Sequence, residues 1–199
     1  MKMFKYLSMA VLLNSFGTAL MAKSNLGMSA WGSAAINFGK FTSLSLGVSF
    51  GIIAVFFYLV ALYMVKKFSV LNALYSFAFA FSYGFFIDIF VFILPNTESY
   101  PYFGKFLMNI IGLLIMCYGI ALHLRINLAV HPLDVYLIAV QKRLNSIAKG
   151  TYLAYGSAFL AALIFGYFSG GIIGIGIGTA NTLLFAGVIL DFYDKRIRI

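Results

Sequence analysis

The chain has 199 residues, of which 63% are apolar and 10% are charged, and its formal net charge is +9. A soluble domain of this size needs more charge on its surface, so the composition predicts an integral membrane protein. The basic residues lie in short connections between apolar stretches, which argues against a nucleic-acid-binding protein. The single cysteine, Cys117, excludes an internal disulfide and a cysteine-based metal cluster.

Six apolar stretches are long enough to cross a bilayer as helices, which takes about 20 residues. We predict them near residues 4–22, 46–65, 70–94, 106–124, 151–168 and 172–192. The first stretch could also be read as a signal peptide, but cleavage would remove one copy of a repeated motif, so we interpret it as a transmembrane helix. Residues 29–43 and 131–149 are predicted to form short interfacial or re-entrant helices.

Residues 16–28 recur as residues 118–130 when the two segments are aligned without a gap. The identical positions are Gly17, Ala19, Leu20, Asn25 and Leu26 in the first copy, and Gly119, Ala121, Leu122, Asn127 and Leu128 in the second. The halves also end alike, because residues 84–88 resemble residues 187–191. Each half has an odd number of spans, so the two halves are expected to lie in opposite senses across the membrane.

The predicted fold is therefore an all-α polytopic membrane protein with six transmembrane helices in a single membrane domain. It consists of two inverted three-helix repeats, about residues 4–94 and about residues 106–193, each with a short interfacial or re-entrant helix after its first span. Only Lys23, Lys40 and Lys105 would face outward if the N-terminus is cytoplasmic. The positive-inside rule accordingly places both termini in the cytoplasm.

Polar residues within the spans are candidates for a substrate or ion pathway, because their burial in lipid is unfavourable. Asp88 and Asp191 could form proton or cation sites or gates, or they could be hydrated near an interface or cap a helix. Asn25 and Asn127 follow the ends of helices, where a C-cap is favoured over a side-chain amide that lines a pathway. Further pathway candidates are Ser29, Trp31, Arg125, His131 and Asp134.

A glycine-rich run occupies residues 170–181 and includes Thr179 and Asn181. It could form a broken start to the sixth helix, at which both polar side chains contact substrate, or it could serve close helix packing alone. Two histidines flank Arg125 without a carboxylate or cysteine at ligand spacing, so we predict no metal site. No catalytic constellation or phosphate-binding loop is present, and we predict neither an enzyme nor a cofactor.

These motifs resemble the YczE/YyaS/YitT-type bacterial membrane proteins over most of the chain. The segments that carry the resemblance are residues 25–31, 127–134, 84–88 and 176–179. The family hallmark is an Ala-x-Leu-Gly-x-x-Pro-x-Asp type loop in each half. The second half keeps Pro132 and Asp134. The first half has Ala30 in place of the proline and Gly32 in place of the aspartate. The resemblance implies a bacterial cytoplasmic membrane and names no substrate.

The leading hypothesis is a small transporter or permease-like protein that moves an unidentified small solute by alternating access between the inverted repeats. A second hypothesis is the substrate-binding subunit of an energy-coupling, ATPase-driven uptake complex, although such subunits are not expected to show a clear inverted repeat. A third is a non-transporting membrane partner or regulator of another protein. The expected partners are the lipid bilayer and a small molecule, and the small size is compatible with a homodimer.

Overall fold

A computed structural model describes residues 2–65, 69–126 and 131–197, and these residues form eight α-helices and no β-strand. The helices are α1 (Lys2–Ser24), α2 (Ala30–Thr42), α3 (Leu46–Val65), α4 (Val70–Ile93), α5 (Tyr102–Ile126), α6 (Pro132–Arg143), α7 (Ile147–Phe168) and α8 (Ile177–Asp194). Four of them are long and apolar enough to cross a membrane, namely α3, α4, α5 and the part of α7 from Lys149 to Phe168. The chain is thus a helical protein with the character of a membrane protein.

The short helices α2 and α6 lie where the sequence predicted short helices, after the first helix of each half. Each begins directly after a side chain that accepts a hydrogen bond from the first turn. The Ser29 hydroxyl accepts from the Gly32 N–H, and Nδ1 of His131 accepts from the Leu133 N–H. Such bonds satisfy amide groups that have no partner within the helix. The two N-caps occupy equivalent positions in the repeat.

The sixth predicted span differs from the structure, because its helix begins at Ile177 and not near residue 172. The preceding glycines Gly170, Gly171 and Gly174 have positive φ angles of 78°, 155° and 70°. Glycine adopts these angles readily, whereas a helix requires negative φ throughout. The glycine-containing segment before α8 is as hydrophobic as a transmembrane helix, but its backbone is not helical.

The helix contacts follow the repeat when α1–α4 are exchanged with α5–α8. Helix α2 packs on α7 as α6 packs on α3, and α1 packs on α4 as α5 packs on α8. The α2–α3 contact corresponds to α6–α7, and the α1–α5 contact maps onto itself. Two pairs break this pattern, because α3 packs on α4 and α4 touches α6, whereas the corresponding pairs α7–α8 and α2–α8 have no comparable contact within the described residues.

Glycines allow two close helix contacts, and a glycine without neighbours marks the contact that is missing. A Cβ added at Gly17 in α1 would lie within 3.0 Å of backbone atoms of Met116 in α5. A Cβ at Gly84 in α4 would similarly meet the Gly47 backbone of α3. Small residues let helix backbones approach closely in a membrane. The equivalent of Gly84 in the second half, Gly187, has no atom within 4 Å of its added Cβ, and there α8 stands free of α7.

We expect Gly17→Ala to destabilise the protein by about 1–3 kcal/mol, because the added methyl group must push the α5 backbone away. Gly156→Ala in α7 is a matched control, since nothing lies within 4 Å of its added Cβ. Both substitutions gain the same helix propensity, about 1 kcal/mol. Thermal unfolding in one mild detergent measures the difference. Equal melting temperatures for the two variants would contradict the close α1–α5 contact.

Candidate functional site

Residues 169–176, called here the glycine-rich segment, join α7 to α8 without helical structure. Thr179, in the first turn of α8, stabilises the end of this segment through its hydroxyl group. Its Oγ1 accepts a hydrogen bond from the Gly176 N–H at 3.3 Å and donates one to the Gly174 carbonyl at 3.2 Å. Thr179, predicted as a candidate for substrate contact, is buried and holds the helix start.

The polar side chains of α2 replace the hydrogen-bonding partners that the segment would have in a helix. The Asn37 amide nitrogen donates to the Ile173 carbonyl at 2.6 Å, and its amide oxygen accepts from the Ile173 N–H at 3.0 Å. Lys40, one turn further along α2, donates from Nζ to the Gly171 carbonyl at 3.0 Å. These residues share one helix face because they are three positions apart. Asn37 therefore pairs with the segment as a neighbouring strand would.

The Gly174 carbonyl oxygen is the centre of this contact, because three donors from three parts of the chain converge on it. They are the Met28 N–H at 2.9 Å, the Ser33 hydroxyl at 2.7 Å and the Thr179 hydroxyl. Met28 belongs to the first motif loop and Ser33 to α2, so the repeated motif of the first half binds the second half directly. We call this set of bonds the glycine-segment contact.

Asn109 of α5 extends the contact to a further helix. Its amide nitrogen donates to the Ser24 hydroxyl and to the Gly27 carbonyl, both at 2.9 Å. The Asn109 amide oxygen and the Asn181 amide nitrogen are buried and have no hydrogen-bond partner within the described residues. Unpaired buried polar atoms are unfavourable, and their presence marks a place where a ligand or water can bind. Asn181 was predicted as a pathway residue on sequence grounds alone.

The second motif loop leads into a different kind of site, which contains ionisable groups. Oδ2 of Asp134 in α6 lies 3.5 Å from Nε2 of His123 in α5. The His123 side chain is 2% exposed, and neither of its ring nitrogens has a hydrogen-bond partner within the described chain. The Asp134 side chain is 33% exposed, so the pair connects the protein surface to the interior. Sequence spacing gave no sign of this pair, because the fold brings the two residues together.

Helices α4 and α1 form the wall beside this pair. The Phe79 ring lies between the two imidazoles, with centroid distances of 4.9 Å to His123 and 5.6 Å to His131. The Tyr83 ring is 5.5 Å from His131, and its hydroxyl lies 2.8 Å from the Thr18 hydroxyl. Buried aromatic rings exclude water, so the charges of the pair act over a low dielectric.

His131, which caps α6, and Asp134, in the first turn of α6, differ in their ionisation. Burial lowers the pKa of His131 to about 4, despite the opposing effect of Asp134. The neutral ring can then accept the Leu133 N–H at Nδ1, as observed. Burial by itself would raise the pKa of the Asp134 carboxyl, but the nearby His123 holds it below its ordinary value. His131 thus acts as a structural N-cap, and Asp134 is poised as a carboxylate.

The two carboxylates that end the halves have separate structural roles. Asp88 accepts hydrogen bonds from the Ser45 hydroxyl and from the Gly47 N–H at 2.8 Å, which caps the start of α3. Its negative charge suits the positive end of the helix dipole. Asp191 instead pairs with Lys195 one turn along α8, at 2.6 Å on the surface. Of the alternatives left open for Asp88, the geometry favours the helix cap.

The other sequence candidates lie away from both sites or outside the described residues. Asn25 follows α1 with a φ of 55°, the left-handed C-cap conformation favoured for it, while Asn127 lies outside the described residues. Arg125 pairs with Asp194 at 2.9 Å. The Trp31 ring packs edge-on against two further aromatic rings, those of Phe57 and Tyr136.

Sequence reasoning missed Ser33, Asn37 and Lys40 in the first site and His123, Tyr83 and Thr18 in the second. The first three could have been found, because their spacing places a polar stripe on one face of an otherwise apolar helix. The Tyr83–Thr18 contact joins helices far apart in sequence, and no local signal announces it.

We expect Asn37→Ala to loosen the glycine-rich segment, because it leaves the Ile173 N–H and carbonyl groups without partners. Each unsatisfied buried group is worth about 1–3 kcal/mol. Hydrogen–deuterium exchange of peptides covering residues 169–176 should become at least tenfold faster. Asn72→Ala, at an exposed asparagine of α4, serves as the control and should leave this exchange unchanged. Slow exchange in the Asn37 variant would rule out the pairing.

We expect Asp88→Ala to lower the stability by about 0.5–2 kcal/mol, as the loss of a helix N-cap does. Asp191→Ala removes only an exposed pair within one helix, which is worth about 0.3–0.5 kcal/mol. Thermal unfolding of both variants in detergent gives the comparison. A larger loss for the Asp191 variant would contradict the assignment of Asp88 as the cap.

Comparison with known proteins places the chain among related sequences. Residues 1–195 match a family of unknown function, DUF6198. The chain is 27% identical to the uncharacterized protein YyaS of Bacillus subtilis (strain 168), over 96% of its own length and 91% of that protein. No solved structure matches the chain. The resemblance to YyaS-type proteins is therefore confirmed, and the chain belongs to the DUF6198 family.

Proposed function

We propose that this protein is a small bacterial membrane transporter that carries a small solute by alternating access between two inverted halves. The observation that supports this most is the exchange symmetry of the helix contacts, together with its main exception, the α3–α4 contact. Helices α2 and α6 each pack on a helix of the opposite half, α7 and α3 respectively. The halves are thereby interlocked, and inverted repeats of this kind are common in secondary transporters.

The exception has a direct meaning in such a mechanism. Two equivalent halves with different internal packing can exchange their conformations, and the exchanged arrangement is the second state of the carrier. In the described state α3 packs on α4, while the glycine-rich segment separates α7 from α8. In the exchanged state α7 would pack on α8, and α3 would part from α4. Gly187, which has open space beside it, would then take the role of Gly84.

The proposed pathway follows a buried polar face of α1. Asn14, Ser15, Thr18 and Ser24 are all buried, and they lead from the side of the second motif loop to that of the first. Ser15 and Thr18 contact Tyr83 near the His123–Asp134 pair, and Ser24 contacts Asn109 at the glycine-segment contact. Polar groups along a buried helix face are unfavourable unless they serve packing or passage of a polar solute.

The positive-inside rule would place the glycine-segment contact on the outer side and the His123–Asp134 pair on the inner side. The described state then corresponds to an outer side closed by hydrogen bonds. Because the termini would be cytoplasmic, the solute would leave or enter the cytoplasm past α6. Alternating access requires that loosening the outer contact also changes the accessibility of the inner side.

The test uses single-cysteine reporters in a Cys117→Ala background, which removes the chain's only cysteine. Ile36→Cys reports on the outer contact, because the Ile36 side chain lies beside Gly174. Val135→Cys reports on the inner side, next to the pair. A membrane-impermeant maleimide is applied from either side of oriented vesicles, with and without Asn37→Ala.

Asn37→Ala should raise the labelling rate at position 36 from outside and lower the rate at position 135 from inside. A shift of about 1.4 kcal/mol in the equilibrium raises the outer rate about tenfold where the outward-open state is minor, and lowers the inner rate about fivefold where the two states start equally populated. Asn72→Ala is the control and should alter neither rate. An outer reaction that becomes as fast as that of a fully exposed cysteine, with an unchanged inner rate, would mean local loosening of a static protein, and it would refute alternating access.

A further inference from the structure

The buried imidazole of His123 is the least satisfied ionisable group in the described part of the chain. It is 2% exposed, and neither Nδ1 nor Nε2 has a hydrogen-bond partner there. A neutral imidazole in this position leaves a donor and an acceptor unpaired, which is unfavourable in a low dielectric. A proton on Nε2 would face the carboxylate of Asp134, whose Oδ2 is 3.5 Å away.

We propose that His123 and Asp134 form a proton-binding pair, which takes one proton from the inner aqueous side onto Nε2 of His123. The neutral ring with its proton on Nδ1 accepts the incoming proton at Nε2, and the pair changes from imidazole–carboxylate to imidazolium–carboxylate. Release returns the same proton to water, and no other bond changes. Asp134 supplies the route, because a third of its side chain is exposed. The role of the pair in coupling rests on the proposed transport function, whereas proton binding itself does not.

The charged groups nearest to the pair on α5 and α8 are engaged with each other or within their own helix. Arg125, two residues from His123, pairs with Asp194, and Asp191 pairs with Lys195. The titratable groups that face the pair are the His131 imidazole at the start of α6 and two phenol groups, Tyr83 of α4 and Tyr155 of α7. Tyr83 bonds Thr18 of α1, so the nearest group of α1 is an uncharged hydroxyl.

The geometry explains how one proton could influence the helix arrangement. His123 belongs to α5, whereas Asp134 belongs to α6, which packs on α3 and α7. Charge on the imidazole draws α6 towards α5, and its loss weakens that attraction. The pair therefore connects the α1–α5 centre of the protein to the short helix of the second half. An equivalent pair is absent from the first half, where Gly32 stands in place of Asp134.

The test is a pH titration by NMR of the full chain in lipid nanodiscs, with carbon-13 at the aspartate carboxyl groups. The signals come from Asp88, Asp134, Asp191 and Asp194. His123→Gln should raise the titration midpoint of Asp134, because the attraction of the imidazolium is lost. Arg125→Gln is the matched control and should leave that midpoint unchanged, since the guanidinium pairs with Asp194 instead. The Asp88 signal reports that the fold is kept.

A midpoint that is unchanged by His123→Gln, or moved equally by Arg125→Gln, would overturn the proposal. A second measurement needs no substitution, because the chain contains only two histidines. With nitrogen-15 in the imidazole rings, the His123 signals and the Asp134 carboxyl signal should report the same titration steps, because the protons of interacting groups belong to the pair. An Asp134 signal that does not respond at the midpoint of the His123 signals would also overturn the proposal. The titration does not use the labelling reporters. Proton binding can therefore be confirmed when the labelling result rejects alternating access, and it can be rejected when the labelling result supports alternating access.

Discussion

Backbone amides that are not in a helix must find partners inside a membrane protein, because lipid offers none. The glycine-rich segment meets this constraint by lying against α2, where Asn37 bonds both polar groups of Ile173. The Gly174 carbonyl accepts from the first motif loop, from α2 and from α8. The position of α8, and with it the difference between the two halves, depends on these bonds.

The same constraint explains why the two motif loops have diverged in chemistry. The first loop supplies backbone and hydroxyl groups, which suit an interaction with uncharged backbone. The second loop supplies Asp134 and the cap His131, which meet His123 on the side where water can reach the carboxylate. In the proposed transport function, the first would be a contact that is made and broken, and the second a group that gains and loses charge.

Much of the local structure could be predicted from the sequence. The repeated motif located the ends of α1 and α5 and the starts of α2 and α6, since glycine, asparagine and N-cap residues act locally. The broken start of α8 was predicted only as one of two alternatives, because hydropathy carries no information on backbone angles and the same glycines could have served helix packing. The His123–Asp134 pair was also out of reach, since it depends on how α5 and α6 pack. Asp88 shows the reverse case, because a carboxylate predicted as a pathway candidate accepts the Gly47 N–H at the start of α3.

Distance measurements by electron spin resonance in nanodiscs would show directly whether the two halves exchange their packing. One pair of spin labels would join α3 to α4 at the exposed residues Val48 and Phe92, and the other would join α7 to α8 at Tyr152 and Val188. If the halves exchange packing, each pair shows two distances. The population with the longer α3–α4 distance then increases together with the population with the shorter α7–α8 distance. A single distance for each pair, unchanged when Asn37 is replaced, would contradict it.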